Sequence, residues 1–388
     1  VIIDEATQCD IASCLPLIQR AKRVVFAGDP NQLRHVSFLS NCLQAVFQKN
    51  HQLHDMERNM LNYRDNSVLD LVMHALKSSD QVAMLDEHYR SIVPIIAFSN
   101  RQFYDDGLRI MTSRPDSKEQ GLYLKQCKGT RKKEGYNVEE ASHILSNIRS
   151  LIDSEVALDA VHSKSIGIIS PFRDQTEYIG KCLFENFSVE EITKHKLRVG
   201  TAYGFQGEER DIMHLSFAVD ANTHHSAYQH INKADVFNVS ITRARYEQHI
   251  YVSVTKDDLQ GASLLRTYLE SINSNVTLET DDSSMHDQFL EEVAEQLATW
   301  EMSFWRSYQI AGLYIDLLIK RGSHYIGIDL VGYPGEMTDF FGLERYRILQ
   351  RAGVRVFPLP YSDWYFEKEE TGKALKGFIN RFGSDASN

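Results

Sequence analysis

Three polar side chains with the chemistry of phosphoryl transfer follow two short apolar runs near the start of the chain. Asp4 and Glu5 come directly after VII (1–3), and Gln32 comes shortly after VVFAG (24–28). Each run predicts a buried parallel strand, and about twenty intervening residues leave room for one crossover helix. At such a strand edge Asp4 could hold Mg²⁺ through water, while Glu5 activates a water and Gln32 senses the terminal phosphate. Two ordinary strand ends would give the same short pattern.

The order and spacing of DEATQ (4–8) and GDPNQL (28–33) resemble motifs II and III of superfamily 1 helicases. The resemblance is to the branch that includes the nonsense-mediated-decay helicase. It implies that ATP and Mg²⁺ are the cofactors and that ATP lies between two RecA-like domains. In that family a phosphate-wrapping Gly-Lys-Thr or Gly-Lys-Ser loop precedes motif II. We therefore expect this chain to be a fragment that hydrolyses ATP negligibly by itself, and its full-length parent to be the active ATPase.

A second group of residues lies in 83–108, which resembles the motif IV region of the same family. Arg90 is a planar, permanently charged donor suited to a γ-phosphate. Tyr89 beside it could stack on the base of the nucleotide. For a single arginine a surface salt bridge is the alternative, and the match of the surrounding residues favours the catalytic role for Arg90.

The segment 197–220 resembles motif V, because a strand is followed by a glycine-punctuated turn and then by acids. Gly207 allows the backbone to approach a phosphate, and Glu209 can accept a hydrogen bond from a ribose hydroxyl. Thr201 can donate to a nucleic-acid phosphate. Tyr203 stands where the family usually has Asp, so the contact made by that acid is not expected in this chain.

The segment 233–254 resembles motif VI, with the pattern N-V-x-x-T-R-A-R before a strand. Arg243 and Arg245 lie two positions apart. This spacing allows Arg243 to reach across a cleft to the γ-phosphate as an arginine finger, with Arg245 as a further nucleotide contact. The basic end of an ordinary helix is the alternative.

Contacts to nucleic-acid phosphates are expected from SIGIISPFRDQTEYIGKCL (165–183), which resembles motif IVa. Its Ser170 and Pro171 lie at a predicted strand tip, where small hydroxyls and backbone amides hold phosphates without identifying bases. The most basic run is KQCKGTRKKEG (125–135), within the polar stretch 107–135. This basic run predicts a solvated loop, with a phosphate contact as the alternative.

From residue 285 the pattern changes to a predicted αβββαβ order. This order resembles PD-(D/E)XK nucleases, particularly the domains similar to very-short-patch-repair endonucleases. The resemblance implies a metal site formed by Asp316 and Asp329. Val331 stands where the family carries Lys or Asp, so nuclease activity is not expected to be intact. Helix or loop glutamates could complete a metal site, although they are more often solvated; these are Glu291, Glu292, Glu336 and Glu344.

The predicted fold class is α/β, with RecA-like P-loop NTPase sheets and a small restriction-endonuclease-like domain. Residues 1–80 are expected to form the C-terminal part of the first RecA-like domain and 81–272 the second. A polar, acidic linker is expected at 273–284, followed by the nuclease-like domain at 285–388.

Composition is consistent with a globular protein in a reducing compartment. Of 388 residues, 24% are charged and 43% hydrophobic, the net charge is −11, and the five cysteines form no C-x-x-C pair. No apolar run is long enough to span a membrane, so a cytoplasmic location is predicted. A net negative charge excludes wholesale coating by a polyanion but allows a local basic groove.

Two classes of function follow. The first is an ATP-driven helicase or translocase acting on single-stranded or duplex nucleic acid. DNA is favoured because of the restriction-nuclease-like tail, which suggests repair, recombination or defence. The second is a non-catalytic module that binds nucleic acid or a partner.

Overall fold

The computed structural model of the protein describes residues 1–53, 55–115, 121–255, 257–259, 264–273, 287–332 and 342–382. The chain forms two compact units. Unit 1 comprises Val1–Leu85, Ile95–Asp105 and Gln120–Ser274, and unit 2 comprises Asp86–Pro94, Asp106–Glu119 and Asn275–Asn388. The expected linker at 273–284 lies, apart from Asn273, outside the described residues.

The strands of the described residues, in chain order, are β1 (Ile2–Ile3), β2 (Val25–Phe26), β3 (Glu87–His88), β4 (Arg109–Ile110), β5 (Leu122–Gln126), β6 (Ile166–Ile169), β7 (Arg198–Gly200), β8 (Arg210–Ser216), β9 (Ala244–Val252), β10 (Phe304–Ile310), β11 (Leu313–Arg321), β12 (His324–Val331) and β13 (Val354–Pro360). The helices are α1 (Ile11–Arg20), α2 (Asn41–Asn50), α3 (Asp55–Met60), α4 (Val68–Ala75), α5 (Val93–Tyr104), α6 (Val138–Ser154), α7 (Arg173–Asn186), α8 (Val189–Lys194), α9 (His225–Ile231), α10 (Ala234–Ile241), α11 (Leu264–Asn273), α12 (Gln288–Thr299), α13 (Leu343–Arg351), α14 (Tyr361–Phe366) and α15 (Lys368–Arg381).

The first two strands of unit 1 form a short parallel pair, in which Ile3 lies opposite Phe26. The predicted crossover helix between them is α1, whose first turn is capped by Asp10: its Oδ1 accepts the backbone N–H of Ser13 at 2.9 Å. Because the strands are parallel, the residues after Ile3 and after Phe26 emerge at the same edge. The prediction that Asp4 and Glu5 follow a strand end is confirmed.

A five-stranded, all-parallel sheet forms the centre of unit 1, in the order β5-β9-β8-β6-β7. Helices α6 and α7 cover one face with an aliphatic cluster that includes Ile144, Ile148, Ile179 and Ile168. This arrangement of helices around a parallel sheet agrees with the predicted α/β fold class. The basic run 125–135, predicted to be a solvated loop, begins instead in a strand, because Lys125 and Gln126 belong to β5.

A four-stranded sheet forms the centre of unit 2, in the order β10-β11-β12-β13. The first three strands are antiparallel neighbours, and β13 runs parallel to β12 after the crossover helix α13. The order of α12, β10, β11, β12, α13 and β13 confirms the predicted αβββαβ succession. Helices α12, α14 and α15 pack in one core cluster and α13 in a second. Strands β3 and β4 form a further parallel pair, and Tyr89 and Arg90 therefore belong to unit 2.

Within the described residues, no helix is both long enough and apolar enough to cross a membrane. All five cysteines are free thiols.

Candidate nucleotide and nucleic-acid sites

Glu5 adopts a backbone conformation that glutamate rarely takes. Its φ is 50° and its ψ is 42°, in the left-handed region. The Glu5 N–H donates to Oδ1 of Asp4 at 2.9 Å, so the two acids are locked into one tight turn at the end of β1. A non-glycine residue in this region costs on the order of 1–3 kcal/mol, and such strain concentrates at functional sites.

Two side-chain amides converge on the Glu5 carboxylate. Oε2 of Glu5 accepts from Nε2 of Gln8 at 3.2 Å and from Nε2 of Gln206 at 3.4 Å. Gln206 lies in the motif V turn, far along the chain. The fold of unit 1 therefore brings the turn after β7 to the acids that follow β1.

Asp29 organises the second strand tip. Its Oδ1 accepts the N–H of Asn31 at 2.9 Å, and its Oδ2 accepts from Nε2 of Gln32 at 3.1 Å and from the Tyr104 hydroxyl at 2.6 Å. Gly28 allows this tip to approach the first, because a Cβ on Gly28 would lie 3.1 Å from the backbone nitrogen of Ala6. The predicted residue Gln32 is thus held beside Asp29.

Asn238, in the motif VI helix α10, joins this tip to the five-stranded sheet region. Its Nδ2 donates to the carbonyl of Asn31 at 2.9 Å and to the Tyr104 hydroxyl at 3.1 Å. Its Oδ1 accepts from the hydroxyl of Ser99 at 2.5 Å. Asn238 is 1% exposed, and its bond with Ser99 is buried, while the bonds to Asn31 and Tyr104 are partly buried.

Arg243 follows α10 and is 2% exposed. Its Nε donates to the carbonyl of Val239 at 3.3 Å. Burial, reinforced by Asp29, raises the pKa of Tyr104 above its ordinary value, and the positive charge of Arg243 opposes that rise. Arg243 is therefore close enough to Tyr104 to influence its ionisation, and the strand-tip acids and motif VI share one electrostatic environment.

Glu209 and Arg245, both predicted as nucleotide contacts, bind each other. Nε of Arg245 donates to Oε1 of Glu209 at 2.8 Å, and the Arg245 guanidinium lies 3.7 Å from Asp211. These bonds raise the pKa of Arg245. Gly207 adopts a φ of 70°, and a Cβ there would meet no atom within 4 Å, so the turn is open on that side.

Among the predicted nucleic-acid residues, Ser170 is fully buried and its hydroxyl accepts the N–H of Phe172 at 3.3 Å. This hydrogen bond stabilises the turn between β6 and α7. Pro171 and Thr201 line a cavity of about 290 Å³, together with Phe172 and Tyr203. The structure therefore brings the motif IVa and motif V segments to one cavity.

Tyr89 and Arg90 lie in unit 2. The Tyr89 hydroxyl donates to Oε2 of Glu87 at 2.6 Å, and Nε of Arg351 donates to the same carboxylate at 3.0 Å. Tyr89 is half exposed, and Arg90 is partly buried. The ring of Tyr89 is thus oriented by an ion pair within its own unit.

Asp316 and Asp329 face each other across β11 and β12, because the register that pairs Leu317 with Ile328 continues to them. The N–H of Leu330 donates to Oδ2 of Asp316 at 2.8 Å. Burial raises the pKa of Asp316 to about 6, and the negative charge of Asp329 adds to the rise.

The negative charge of Asp329 is paired with a positive charge of unit 2. Its carboxylate lies 3.0 Å from the Arg345 guanidinium and accepts a hydrogen bond from the Tyr346 hydroxyl. The helix glutamates considered as further ligands are occupied: Glu291 pairs with Arg306, Glu292 with Lys368, and Glu344 with Arg351. Glu336 lies outside the described residues. In the part of the chain that the structure describes, no group of three or more His, Cys, Asp or Glu side chains could hold a metal ion.

Tyr104 and Asn238 are the functional candidates that the sequence patterns missed as site residues. Both lie inside segments that resemble helicase motifs, but nothing in their spacing assigns them a partner. Their side-chain chemistry is the signal that could have indicated them, because a polar group among buried apolar residues requires a hydrogen-bond partner.

Two family models match the chain, and both are described as AAA domain. One covers residues 1–38 and the other residues 64–254. Three similar proteins carry helicase names. An ATP-dependent helicase of Mycoplasma genitalium is 25% identical over 68% of this chain and 24% of its own length. Helicase sen1 of Schizosaccharomyces pombe is 25% identical over 78% of this chain and 18% of its own. Helicase SEN1 of Saccharomyces cerevisiae is 27% identical over 70% of this chain and 12% of its own length.

The proteins that this chain is similar to are thus named as helicases, and the matched models are described as AAA domain. The chain spans only about an eighth to a quarter of the length of these relatives. The C-terminal domain of a possible DNA helicase from a Lactobacillus superposes on 42% of this chain and 86% of its own at 15% identity, with a TM-score of 0.26, which is too low to bear on the fold.

Proposed function

We propose that this chain carries the catalytic acids and the arginine finger of an ATP-driven motor that moves along single-stranded nucleic acid. One observation carries the proposal. The polar residues at the ends of β1 and β2 form one hydrogen-bonded region with residues of motifs V and VI, through Gln206 to Glu5 and through Asn238 to Asn31. Hydrolysis at a boundary between such segments can open and close a cleft and so move a strand.

The donor set at this site fits ATP and Mg²⁺. Asp4 would hold Mg²⁺ through water, Glu5 would orient or deprotonate the attacking water, and Gln32 would sense the terminal phosphate. Arg243 would stabilise the charge that spreads over the transferred group. The buried hydroxyl of Thr7, two residues after Glu5, has no hydrogen-bond partner among the described residues.

The remaining nucleotide contacts in the proposal come from further along the chain. Gly207 would admit a phosphate to the backbone, while Glu209 would accept from the ribose and Arg245 would hold Glu209 in place. For Arg90 as a donor to a γ-phosphate and for Tyr89 as a stacking surface for a base, the roles expected from the sequence stay predictions. Their roles rest on their positions in the motifs.

ATP turnover with and without single-stranded nucleic acid tests the proposal. The 388-residue sequence contains no Gly-Lys-Thr or Gly-Lys-Ser, so we expect this chain to hydrolyse ATP negligibly. A longer form that includes such a loop should hydrolyse ATP faster when an oligonucleotide is added. Equal, oligonucleotide-stimulated turnover by both forms would overturn the assignment of roles. Parallel assays with single-stranded DNA and RNA decide the substrate, for which we propose DNA, in repair, recombination or defence.

For unit 2 we propose a nuclease-like fold that does not cleave. This proposal is supported by the Arg345 and Tyr346 contacts to Asp329, which occupy a carboxylate that a metal would need, and by Val331 in place of a charged residue. We expect no manganese-dependent nicking of plasmid DNA by the wild type, and the same result for Asp329→Ala. Nicking by the wild type that Asp329→Ala abolishes would assign an active nuclease instead.

A non-catalytic module that binds nucleic acid or a partner is the second candidate, and the neutralised acids of unit 2 favour it for that unit. It predicts nucleic-acid binding by the 388-residue chain with no ATP turnover in any longer form. Stimulated turnover in the longer form would exclude it.

A further inference from the structure

We propose that the cavity between motifs IVa and V stacks one base of a single-stranded nucleic acid against Tyr203. This inference rests on the proposed motor function and names a residue-level contact for it. The cavity has a volume of about 290 Å³, at the lower end of the roughly 300–1,000 Å³ of small-ligand sites. It therefore suits one planar group.

Three aromatic side chains line this cavity: Phe172, Tyr203 and His230. Phe172 and His230 hold each other at a centroid distance of 5.8 Å, and Nε2 of His230 lies 3.0 Å from the carbonyl oxygen of Pro171. Tyr203 is 43% exposed, so this lining residue is accessible to a ligand. An aromatic ring offers every base a stacking surface without selecting its sequence.

A basic loop lies beside the cavity and supplies the charge that a nucleic-acid backbone requires. The Arg131 guanidinium lies over the Phe172 ring, 4.0 Å from its centroid. The N–H of Arg131 donates to Asp220 at 2.8 Å, and its guanidinium donates to the carbonyl of Ala218 at 2.6 Å. With Arg131 anchored in this way, the exposed side chains of Lys132 and Lys133 follow directly in the chain.

The loop also touches the helix that begins at the cavity. A Cβ on Gly135 would lie 2.5 Å from a carboxylate oxygen of Asp174, which is in the first turn of α7. Basic residues beside an exposed aromatic face form the combination that tracks single strands: cations hold the phosphates and rings hold the bases. This arrangement favours a nucleic-acid strand over an uncharged ligand.

Tyr203 stands where related motifs carry an acid, and its position in the fold connects two sites. It begins the one-turn helix Tyr203–Phe205, and the carbonyl of Tyr203 accepts the N–H of Gln206 at 3.5 Å. Gln206 in turn donates to Glu5. A base held by Tyr203 therefore lies one turn of backbone from the residue that contacts the candidate catalytic acid.

Fluorescence anisotropy of the 388-residue chain at fixed salt tests the inference. The probes are labelled oligothymidylate, oligouridylate and an abasic oligodeoxynucleotide of the same length. We expect Tyr203→Ala to weaken binding of the two base-bearing probes by roughly 5- to 150-fold, and Tyr203→Phe to bind them as the wild type does. The abasic probe should bind weakly and equally to all variants. The ratio between the oligothymidylate and oligouridylate arms compares a DNA strand with an RNA strand, which differ in the sugar and in the methyl group of thymine.

Two controls separate stacking from folding. Tyr246→Ala removes another half-exposed tyrosine of unit 1, whose ring is contacted by Lys164, and should leave binding unchanged. Tyr203→Leu keeps apolar bulk without an aromatic face and should weaken binding as Tyr203→Ala does. If the alanine variant loses its far-UV circular dichroism and is therefore unfolded, the leucine variant tests the stacking inference in its place.

The outcomes distinguish the inference from the proposed function. A wild type that binds both base-bearing probes, with Tyr203→Ala and Tyr203→Leu no weaker than Tyr246→Ala, overturns the stacking inference and leaves the motor proposal standing. If the wild type binds the abasic probe as tightly as it binds the base-bearing probes, the stacking inference is also overturned and the motor proposal stands. A wild type that binds no probe overturns the nucleic-acid function itself.

Discussion

The side-chain amide of Gln206 donates to the carboxylate of Glu5 at 3.4 Å, across 201 positions of the chain. Glu5 follows the first strand, and Gln206 lies in the turn between β7 and β8. The contact therefore joins an acid at a strand tip to a turn that follows a strand of the five-stranded sheet. Glu5 is presented to Gln206 by its left-handed backbone, and this conformation has a measurable consequence.

Replacing Glu5 with glycine should stabilise unit 1. The left-handed conformation costs a non-glycine residue roughly 1–2 kcal/mol, and glycine loses roughly 0.5–1 kcal/mol in chain entropy, so we expect a net gain of about 0.5–1 kcal/mol. Urea unfolding followed by far-UV circular dichroism measures it. Glu134→Gly, at an exposed residue with ordinary backbone, should instead be neutral or destabilising. Equal destabilisation by both variants would show that Glu5 is not strained.

Replacing Asn238 with aspartate should destabilise unit 1 by about 2–4 kcal/mol. The change is nearly isosteric, but it replaces the Nδ2 donor by an oxygen that would face the carbonyl of Asn31 and place a charge in a buried site. Urea unfolding at neutral pH measures the loss. Asn222→Asp, on the exposed surface, is the matched control. If both variants unfold at the same urea concentration, the link through Asn238 contributes nothing to stability.

Sequence patterns predicted the elements of the site better than its contacts. The strand end before Asp4 follows from an apolar run, which acts locally. Strand β5 was missed because it is an edge strand with half of its residues polar, so the alternation that marks a half-buried strand is interrupted at Lys125 and Gln126. Such an edge position is decided by pairing with β9, not by the segment itself.

Contacts between distant residues could not be predicted, because they depend on how the segments pack. Ser170 matches a phosphate-binding pattern, yet its hydroxyl accepts an N–H inside the turn and is fully buried. Likewise, the pattern assigned Glu209 and Arg245 to a nucleotide, and the fold pairs them with each other. The positive φ of Glu5 has no signal in the sequence, since glutamate is not a residue that favours it.

The stability of unit 1 should depend on pH through Glu140. This side chain is fully buried, and burial raises its pKa from 4.5 to about 7, although it accepts hydrogen bonds from Ser216, Ser253 and the backbone of Ala218. Between these two pKa values the folded state binds more protons than the unfolded state. The contribution of Glu140 to the free energy of unfolding is therefore largest below pH 4.5, and it falls by about 3 kcal/mol as the pH rises through 7.

Glu140→Gln removes this ionisation, so its stability relative to the wild type should increase from pH 5 to about pH 7 and level off above that. Far-UV circular dichroism is the appropriate probe, because the three tryptophans, Trp300, Trp305 and Trp364, all lie in unit 2. Glu177→Gln, at an exposed carboxylate of α7, should show no such trend. A constant difference between Glu140→Gln and the wild type at every pH would contradict the prediction.

Unit 2 should show a similar dependence through Asp316, and tryptophan fluorescence reports it separately. Burial raises the pKa of Asp316 from 3.8 to about 6. The folded unit then binds the extra proton between these values, so its stability falls by about 3 kcal/mol as the pH rises from below 4 to above 6. Asp316→Asn keeps an oxygen for the Leu330 N–H and should be the more stable form above pH 6.

Glu295→Gln, on the exposed face of α12, is the control for Asp316→Asn and should leave the fluorescence transition unchanged at every pH. The prediction is contradicted if Asp316→Asn is less stable than the wild type by the same amount at pH 4 and at pH 8. In that case Asp316 is charged in the folded state, and its contacts offset the cost of its burial.

The central claim is that a triphosphate lies between the acids after β1 and the arginine after α10. Steady-state ATP turnover, with single-stranded nucleic acid present, by a longer form that carries the phosphate-wrapping loop tests this most directly. Glu5→Gln should lower kcat by roughly 10²–10⁴-fold and Arg243→Lys by roughly 10³-fold or more, while both still bind ATP. Glu134→Gln should turn over as the wild type does. Unchanged kcat in Glu5→Gln and Arg243→Lys would contradict the claim.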